Sequence, residues 1–318
     1  MKQRFLGFRQ RIVSAVGLGA MPLAIQGRPE PVAAVRVIHA ALDAGMTWID
    51  VADSYCKDET EVGYGEALVR RALSEWSGPS ASILVTTKGG YVRTGGEWQL
   101  NGHPDHIRAA CEASLKALGV SCFELYQLHG PDPAVYFPDT LGALADLRRE
   151  GKIRHIGVCN VDVGHLQDAS SVVTIVSVQN RCNLFERHCF ANGVIDWCER
   201  SGAAFIAHSP VGGHNGHARV ANHPVLNAIA ERHGASSYQV ALAWLLAASE
   251  TILVIPGASR VSSAESSAKA AELQLSADDL AAIARAFPPA SPVIKQLVGV
   301  RRKVRQMLRN NRRRIARR

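Results

Sequence analysis

Residues 16–22 read V16-G-L-G-A-M-P22, and the reading of this stretch decides between two folds. A short apolar run meets two glycines one residue apart, as at the first turn of an open, doubly wound dinucleotide-binding sheet. In that fold a third glycine follows and a helix starts at once, so that phosphate sits on the helix N-terminus. Here Ala20-Met21-Pro22 follows instead. The open sheet thereby loses its only signature near the first strand, and any dinucleotide must bind by another route.

Outward from this point, short apolar runs alternate with helical patterns. Strands are expected at 16–20, 47–50, 83–88, 124–129, 155–159, 174–179, 204–208 and 251–255. Each is short and rich in Val, Ile, Leu or aromatic residues, as strands buried on both faces are. Helical spacing covers 31–44, 61–73, 104–118, 140–150, 163–169, 190–200, 224–233, 237–248 and 263–271, several of them ending at glycine. Eight strands each followed by helix predict an α/β fold: a closed (β/α)8 TIM barrel in a single domain over residues 1–290, with a basic C-terminal extension over 291–318. The alternation within 5–14 suggests a hairpin across the bottom of the barrel.

Composition narrows the class. The 318 residues are 47% hydrophobic and 20% charged, which is ordinary for a globular domain. No run of eighteen apolar residues predicts a membrane span, and the interrupted N-terminus fits a signal peptide poorly. Seven cysteines without framework spacing suggest free thiols and a cytoplasmic location. Among twelve histidines, His208, His214, His217 and His223 are the nearest approach to a metal set. They lack close Cys or carboxylate ligands, so no metal is expected.

Barrels of this kind carry their chemistry at the C-terminal ends of the strands. The second expected strand ends in Asp50, with Tyr55 in the loop beyond. The third ends in Lys88 and the fourth in His129. Taken singly, each has a bland reading as a solvated turn residue, a packing histidine, a loop anchor or a cap. Together they fall on one rim and form a polar network suited to lowering the pKa of the tyrosine. An ammonium beside a phenol favours the phenolate, and Asp50 would hold that ammonium. Tyr55 is then a general acid for an alkoxide, with His129 placed to orient the carbonyl oxygen and to share in that proton transfer. No nucleophile sits beside a base, as hydrolysis would require.

The motifs D50-V-A-D-S-Y55, G65-E66-A-L, L125-Y-Q-L-H129-G-P-D132, G151-K-I-R-H-I-G-V-C-N160, V178-Q-N-R-C-N183, H208-S-P-V-G-G213 and I255-P-G-A-S259 stand in one order and spacing. In these the chain resembles the aldo-keto reductase family over roughly residues 5–275. The resemblance implies NADPH-dependent reduction of an aldehyde or ketone to an alcohol, with Tyr55 as proton donor and Asp50, Lys88 and His129 as its supports. It implies a cofactor set for NADP(H): Asp50, Cys159, Asn160, Gln179, His208, Ser209, Pro210, Val211, Gly213, Ser259, Arg260, Ser263 and Ser267. Asn160 and Gln179 resemble the pair that binds the nicotinamide carboxamide. Ser209, Val211 and Gly213 match the loop under the pyrophosphate. Ser259 and Arg260 suit the adenosine 2′-phosphate.

Several positions depart from the family. Cys159 replaces a usual serine, His208 an aromatic that stacks on the nicotinamide, and Ser266-Ser267 a common Glu-Asn. Tyr55 is followed by Cys56-Lys57 rather than glycine, and Lys57 and the loop 90–101 with Trp98 border the expected substrate mouth. Trp98 reads equally as a pocket wall or a loop anchor. The alternative function is a nicotinamide-nucleotide-binding sensor subunit of a partner protein. The expected partner otherwise is a small carbonyl compound, whose identity these residues leave open.

The extension is a separate problem. Residues 293–318 hold eleven Lys or Arg and no acid, so with +8 overall the first 292 residues carry −3. Val293, Leu297, Val300, Val304, Leu308 and Ile315 follow a loose helical spacing. This suits contact with anionic lipid, nucleic acid or a protein, or an extension without a specific task. The mildly acidic body argues against nucleic acid as the main partner. All expected site residues precede Ala268. A chain truncated after Pro292 is therefore expected to keep nearly full carbonyl reduction, as steady-state turnover of the two forms would show. Loss of most turnover in a folded truncation would contradict this.

Overall fold

The computed structural model describes residues 1–7, 11–213 and 216–288; the extension from 291 lies outside them. Eight parallel strands lie side by side in chain order: β1 (Leu18–Gly19), β2 (Trp48–Asp50), β3 (Leu84–Gly89), β4 (Phe123–Leu128), β5 (Ile153–Cys159), β6 (Ile175–Arg181), β7 (Ala204–His208) and β8 (Ile252–Ile255). The sheet closes on itself. Val16 bridges Val254 and Gly19 bridges Gly257, both parallel, and the Gly17 amide donates to the Val254 carbonyl at 2.9 Å. The expected (β/α)8 barrel is the fold.

The apolar runs make strands because both of their faces are covered. β4 and β5 are buried along most of their length, with one face to the lumen and the other to helices. Helices Pro31–Asp43, Pro104–Leu118, Phe137–Arg149 and Pro224–Arg232 each carry proline in the first turn, where a missing N–H costs nothing.

Three expectations shift. The first strand is only two residues long in the ladder, because its remaining contacts to β8 are single bridges. The helix expected over 190–200 is two, His188–Ala191 and Val194–Ser201, parted at Asn192-Gly193. The chain past 271 adds the helix Ala277–Ala286, started by Ser276 and Asp279 in a reciprocal capping box.

The N-terminal hairpin pairs Gln3–Phe5 with Ile12–Ser14 and closes the floor of the barrel. Leu6 and Val13 join Trp48, Leu84, Leu125, Val176, Ile206 and Leu253 in one apolar plug. Buried Arg4 reaches the carbonyls of Leu246, Ser249 and Ile252, fastening the hairpin to β8 and the helix before it. Among the described residues no helix is long and apolar enough to cross a membrane.

Gly17 has a packing role. A Cβ there would lie 2.3 Å from the Trp48 indole, which is fully buried and donates to the Ser14 carbonyl at 2.9 Å. Gly17→Ala is expected to destabilise the fold by about 1–3 kcal/mol through overpacking, measured by denaturant unfolding. An unchanged midpoint would show that the indole moves aside freely.

Candidate active site

The upper lumen is polar, and Asp50 is at its centre. Asp50 ends β2, and its Oδ2 accepts from Thr86 Oγ1 (2.9 Å), Gln179 Nε2 (3.0 Å) and Gln127 Nε2 (3.2 Å). Its Oδ1 accepts from Lys88 Nζ at 2.6 Å. Lys88 comes from β3 and is wholly enclosed. It donates also to the Val51 carbonyl (2.9 Å) and to Tyr55 Oη (3.1 Å). Every lysine donor thus has an acceptor, as a buried ammonium requires.

Tyr55 sits on the loop after β2. That loop is held from below by Gly65, whose amide donates to the Tyr55 carbonyl at 3.1 Å. A side chain at position 65 would stand 3.0 Å from that same oxygen, so glycine lets the helix Tyr64–Glu75 start against the loop. His129 directly follows β4, and its amide extends the ladder to the Gly89 carbonyl (2.8 Å). Its ring lies 5.8 Å from the Tyr55 ring and 4.7 Å from that of Tyr91. Asp50, Tyr55, Lys88 and His129 therefore meet at one rim.

The electrostatics correct one expectation. The network does not bring Tyr55 below the ordinary phenol range. Burial raises its pKa, and the charge and hydrogen bond of Lys88 recover only part of that rise. Tyr55 is thus a fully protonated phenol at neutral pH. Burial works against the Lys88 charge too, but Asp50 and Tyr55 outweigh it and hold the ammonium above the usual lysine range. His129 is pushed well below the usual histidine range by burial, then by Lys88 and His208, so it is a neutral imidazole.

The residues expected to hold a nucleotide occupy the neighbouring strand ends. Gln179 is buried in the Asp50 network. Asn160, in a left-handed backbone (φ 59°), donates from Nδ2 to the His129 carbonyl (2.9 Å) and faces His208 Nε2 through Oδ1 (3.2 Å). The Cys159 thiol turns into the lumen, 3.9 Å from Gln127 Oε1. His208 caps β7 beside Ser209 and is pushed down to about 3, chiefly by burial and then by Arg181. Ser209, Gly212 and Gly213 all have positive φ, which folds the loop back on itself. Ser259 and Arg260 are exposed beyond β8 at the start of the helix Val261–Lys269, and Ser263 and Ser267 share a face of that helix. This is a rim-long run of amides, hydroxyls and one guanidinium, a donor set that fits a phosphorylated dinucleotide.

Other residues were less visible in the sequence. Thr86, Gln127 and Ser177 line the lumen inside strands that otherwise read as apolar. Trp98 stands over the site, 6.3 Å from both the Tyr55 and His129 rings. Buried Arg93 lies 4.1 Å above its indole and ties the hairpin of Tyr91–Val92 and Gln99–Leu100 to Gln26 Oε1 (2.9 Å) and the Lys57 carbonyl (3.0 Å). The indole is thus a wall of the mouth.

Comparison with known proteins bears on the family and the fold. The profile of the Aldo/keto reductase family matches residues 15–287. An uncharacterised oxidoreductase of Schizosaccharomyces pombe is 34% identical over 272 residues, 84% of either chain. A thermostable aldo-keto reductase, solved with the inhibitor epalrestat, is 28% identical with a TM-score of 0.76, over 89% of this chain and 98% of that one. An aldo/keto reductase from Klebsiella pneumoniae, solved with NADP and acetate, shares the fold at 24% identity and a TM-score of 0.76, over 92% and 97% of the two chains.

Behind the rim lie two carboxyls with a measurable signature. Burial, then Glu66, pushes Asp53 up to about 8, although the Ser54 amide donates to it at 2.5 Å. Burial likewise pushes Glu66 up to about 7 against its 2.5 Å bond from Thr87. Both values exceed those of the unfolded chain, about 4 for either group. The folded protein therefore keeps protons that the unfolded chain releases. Their stabilisation is complete below about pH 4 and is lost as the pH rises to 8. Thermal unfolding is expected at lower temperature at pH 8 than at pH 5, with a shallower slope in Asp53→Asn. Equal slopes in the two proteins would contradict the assignment.

Proposed function

Since the chain belongs to the aldo/keto reductase family of oxidoreductases, we propose that it reduces an aldehyde or ketone to an alcohol with NADPH, Tyr55 being the proton donor. The observation that carries this reading is the 3.1 Å bond from a buried, carboxylate-held ammonium to the Tyr55 hydroxyl. An ammonium has no acceptor site, so it can only donate to the phenol oxygen. The phenol's own O–H is then left to point elsewhere, toward the open rim. As that proton leaves, the oxygen acquires charge beside Lys88 Nζ, which is already in place to stabilise it.

Neutral His129 adds a second polar group beside Tyr55. Because it does not titrate near neutrality, it acts as an orienting hydrogen-bond donor rather than as an acid. Trp98 and Tyr91 exclude water from the same side. The nicotinamide, when bound, supplies the hydride. Asn160 and Gln179 would hold its carboxamide and His208 its ring, with Ser209, Pro210, Val211 and Gly213 along the diphosphate. Ser259, Arg260, Ser263 and Ser267 would take the adenosine end. The NADP in the Klebsiella pneumoniae structure supports the choice of cofactor. Seven unpaired cysteines support a cytoplasmic location.

The test is single-turnover reduction of a panel of aldehydes with saturating NADPH. Tyr55→Phe is expected to lower the rate by about 10² to 10⁴ while NADPH still binds. A variant keeping more than about a tenth of the rate would remove Tyr55 from the role. Lys88→Met is expected to slow reduction severely as well. In the alcohol-oxidising direction, which needs the phenolate, it should move the alkaline rise in rate to higher pH, because the charge that lowers the phenol pKa is gone.

A further inference from the structure

Arg181 closes β6 and is not among the residues that the family motifs mark for the nucleotide. Its side chain is half-exposed and lies along the loop after β7. Nη2 donates to the Gly212 carbonyl at 2.9 Å, and Nη1 approaches Ser209 Oγ at 3.4 Å. A Cβ built on Gly213 would stand 3.4 Å from Nη1, so the guanidinium lies in contact with the turn. Nε is bonded to Glu186, whose carboxylate also accepts from Asn183 Nδ2 at 2.9 Å. Asn183 Nδ2 donates in turn to the Ser209 carbonyl at 3.1 Å. The arginine is thus fixed on two sides, by Glu186 at Nε and by the Gly212 carbonyl at Nη2. The weak Nη1 contact is the one directed along the loop.

We propose that Arg181 is a ligand for the diphosphate of the dinucleotide, presented from β6 to the Ser209–Gly213 turn. The proposal rests on the reading above that the diphosphate runs along this turn. Its own support is independent. These described contacts use three of the five guanidinium N–H groups. The turn has left-handed residues at Ser209, Gly212 and Gly213, a backbone shape that forms anion-binding concavities. Glu186 and the Gly212 carbonyl hold the plane still, so little rotamer freedom is lost on binding, and the N–H groups these contacts do not use are one on Nη1 and one on Nη2. A diphosphate is the matching chemistry: a doubly charged anion with oxygens on adjacent centres, reached by a fork and a turn at once.

The test is direct binding, with no turnover involved. ADP-ribose carries the diphosphate without nicotinamide or 2′-phosphate, and adenosine 2′-monophosphate carries the 2′-phosphate without diphosphate. For Arg181→Met, calorimetry is expected to show ADP-ribose and NADPH weakened by a common factor of about ten or more, as for loss of a charge-assisted bond. Adenosine 2′-monophosphate should bind as to the wild type. Arg181→Lys should recover part of the loss, keeping the charge without the fork, and it carries the same comparison if the methionine variant does not fold. Unchanged ADP-ribose affinity in a folded variant would overturn the proposal, and so would equal weakening of all three ligands, since that marks a collapsed loop. If the wild type binds neither NADPH nor ADP-ribose, the functional reading itself falls, and the role of Arg181 with it.

Discussion

The buried ion pair of Lys88 and Asp50 is the constraint from which the rest of this site follows. A lysine ammonium and a carboxylate 2.6 Å apart, both essentially without solvent contact, are costly to bring out of water. The cost is met only if every remaining donor and acceptor is satisfied. Thr86, Gln127 and Gln179 complete Asp50, while the Val51 carbonyl and Tyr55 complete Lys88. The lumen must therefore be polar in its upper half, and the tyrosine must stand where the third lysine hydrogen points. The place of the Tyr55 phenol at the rim is a consequence of how a buried charge is satisfied.

That logic also explains the division of the barrel. Below the ion pair the lumen is filled by Leu84, Leu125, Ile206 and Leu253, which need no polar partners, and by Trp48, whose indole N–H is met by the Ser14 carbonyl. Above it, loops from successive strands bring Trp98, His129, Asn160 and His208 around the opening. The apolar lower half gives rigidity, and the polar upper half gives a fixed field. A phenol in this environment is raised by burial and lowered by one well-placed charge, so it remains protonated yet poised against a cation.

Much of this was legible in the residues themselves, for physical reasons. Asp50, Lys88 and His129 stand out because they end apolar runs, where a polar side chain has no packing reason to be. The open doubly wound sheet could be set aside at V16-G-L-G-A-M-P22, because Pro22 stands where its third glycine belongs, and the eightfold strand–helix alternation then points to the closed barrel. Thr86, Gln127 and Ser177 were hidden, since a single polar residue within a strand looks the same whether it faces helix or lumen. Arg181 and Arg93 were hidden for another reason. Each has a near partner in sequence, Glu186 and Gly96, but the contacts that place them at the site reach loops 28 and 67 residues away, which only closure of the barrel brings together. The expected lowering of the Tyr55 pKa gives way to a rise, because residue types reveal neighbouring charge but not the depth of enclosure that opposes it.

The plugged floor has a consequence of its own. With the strands Gln3–Phe5 and Ile12–Ser14, buried Arg4 and the apolar plug filling the lower end, the polar groups of the lumen face the upper rim among the described residues. In the proposed reaction the cofactor, the carbonyl compound and the proton returning to Tyr55 would all arrive from that rim. Behind the phenol stand buried Lys88 and Asp50 and, below them, the apolar plug, so what meets the Tyr55 hydroxyl comes from the rim side.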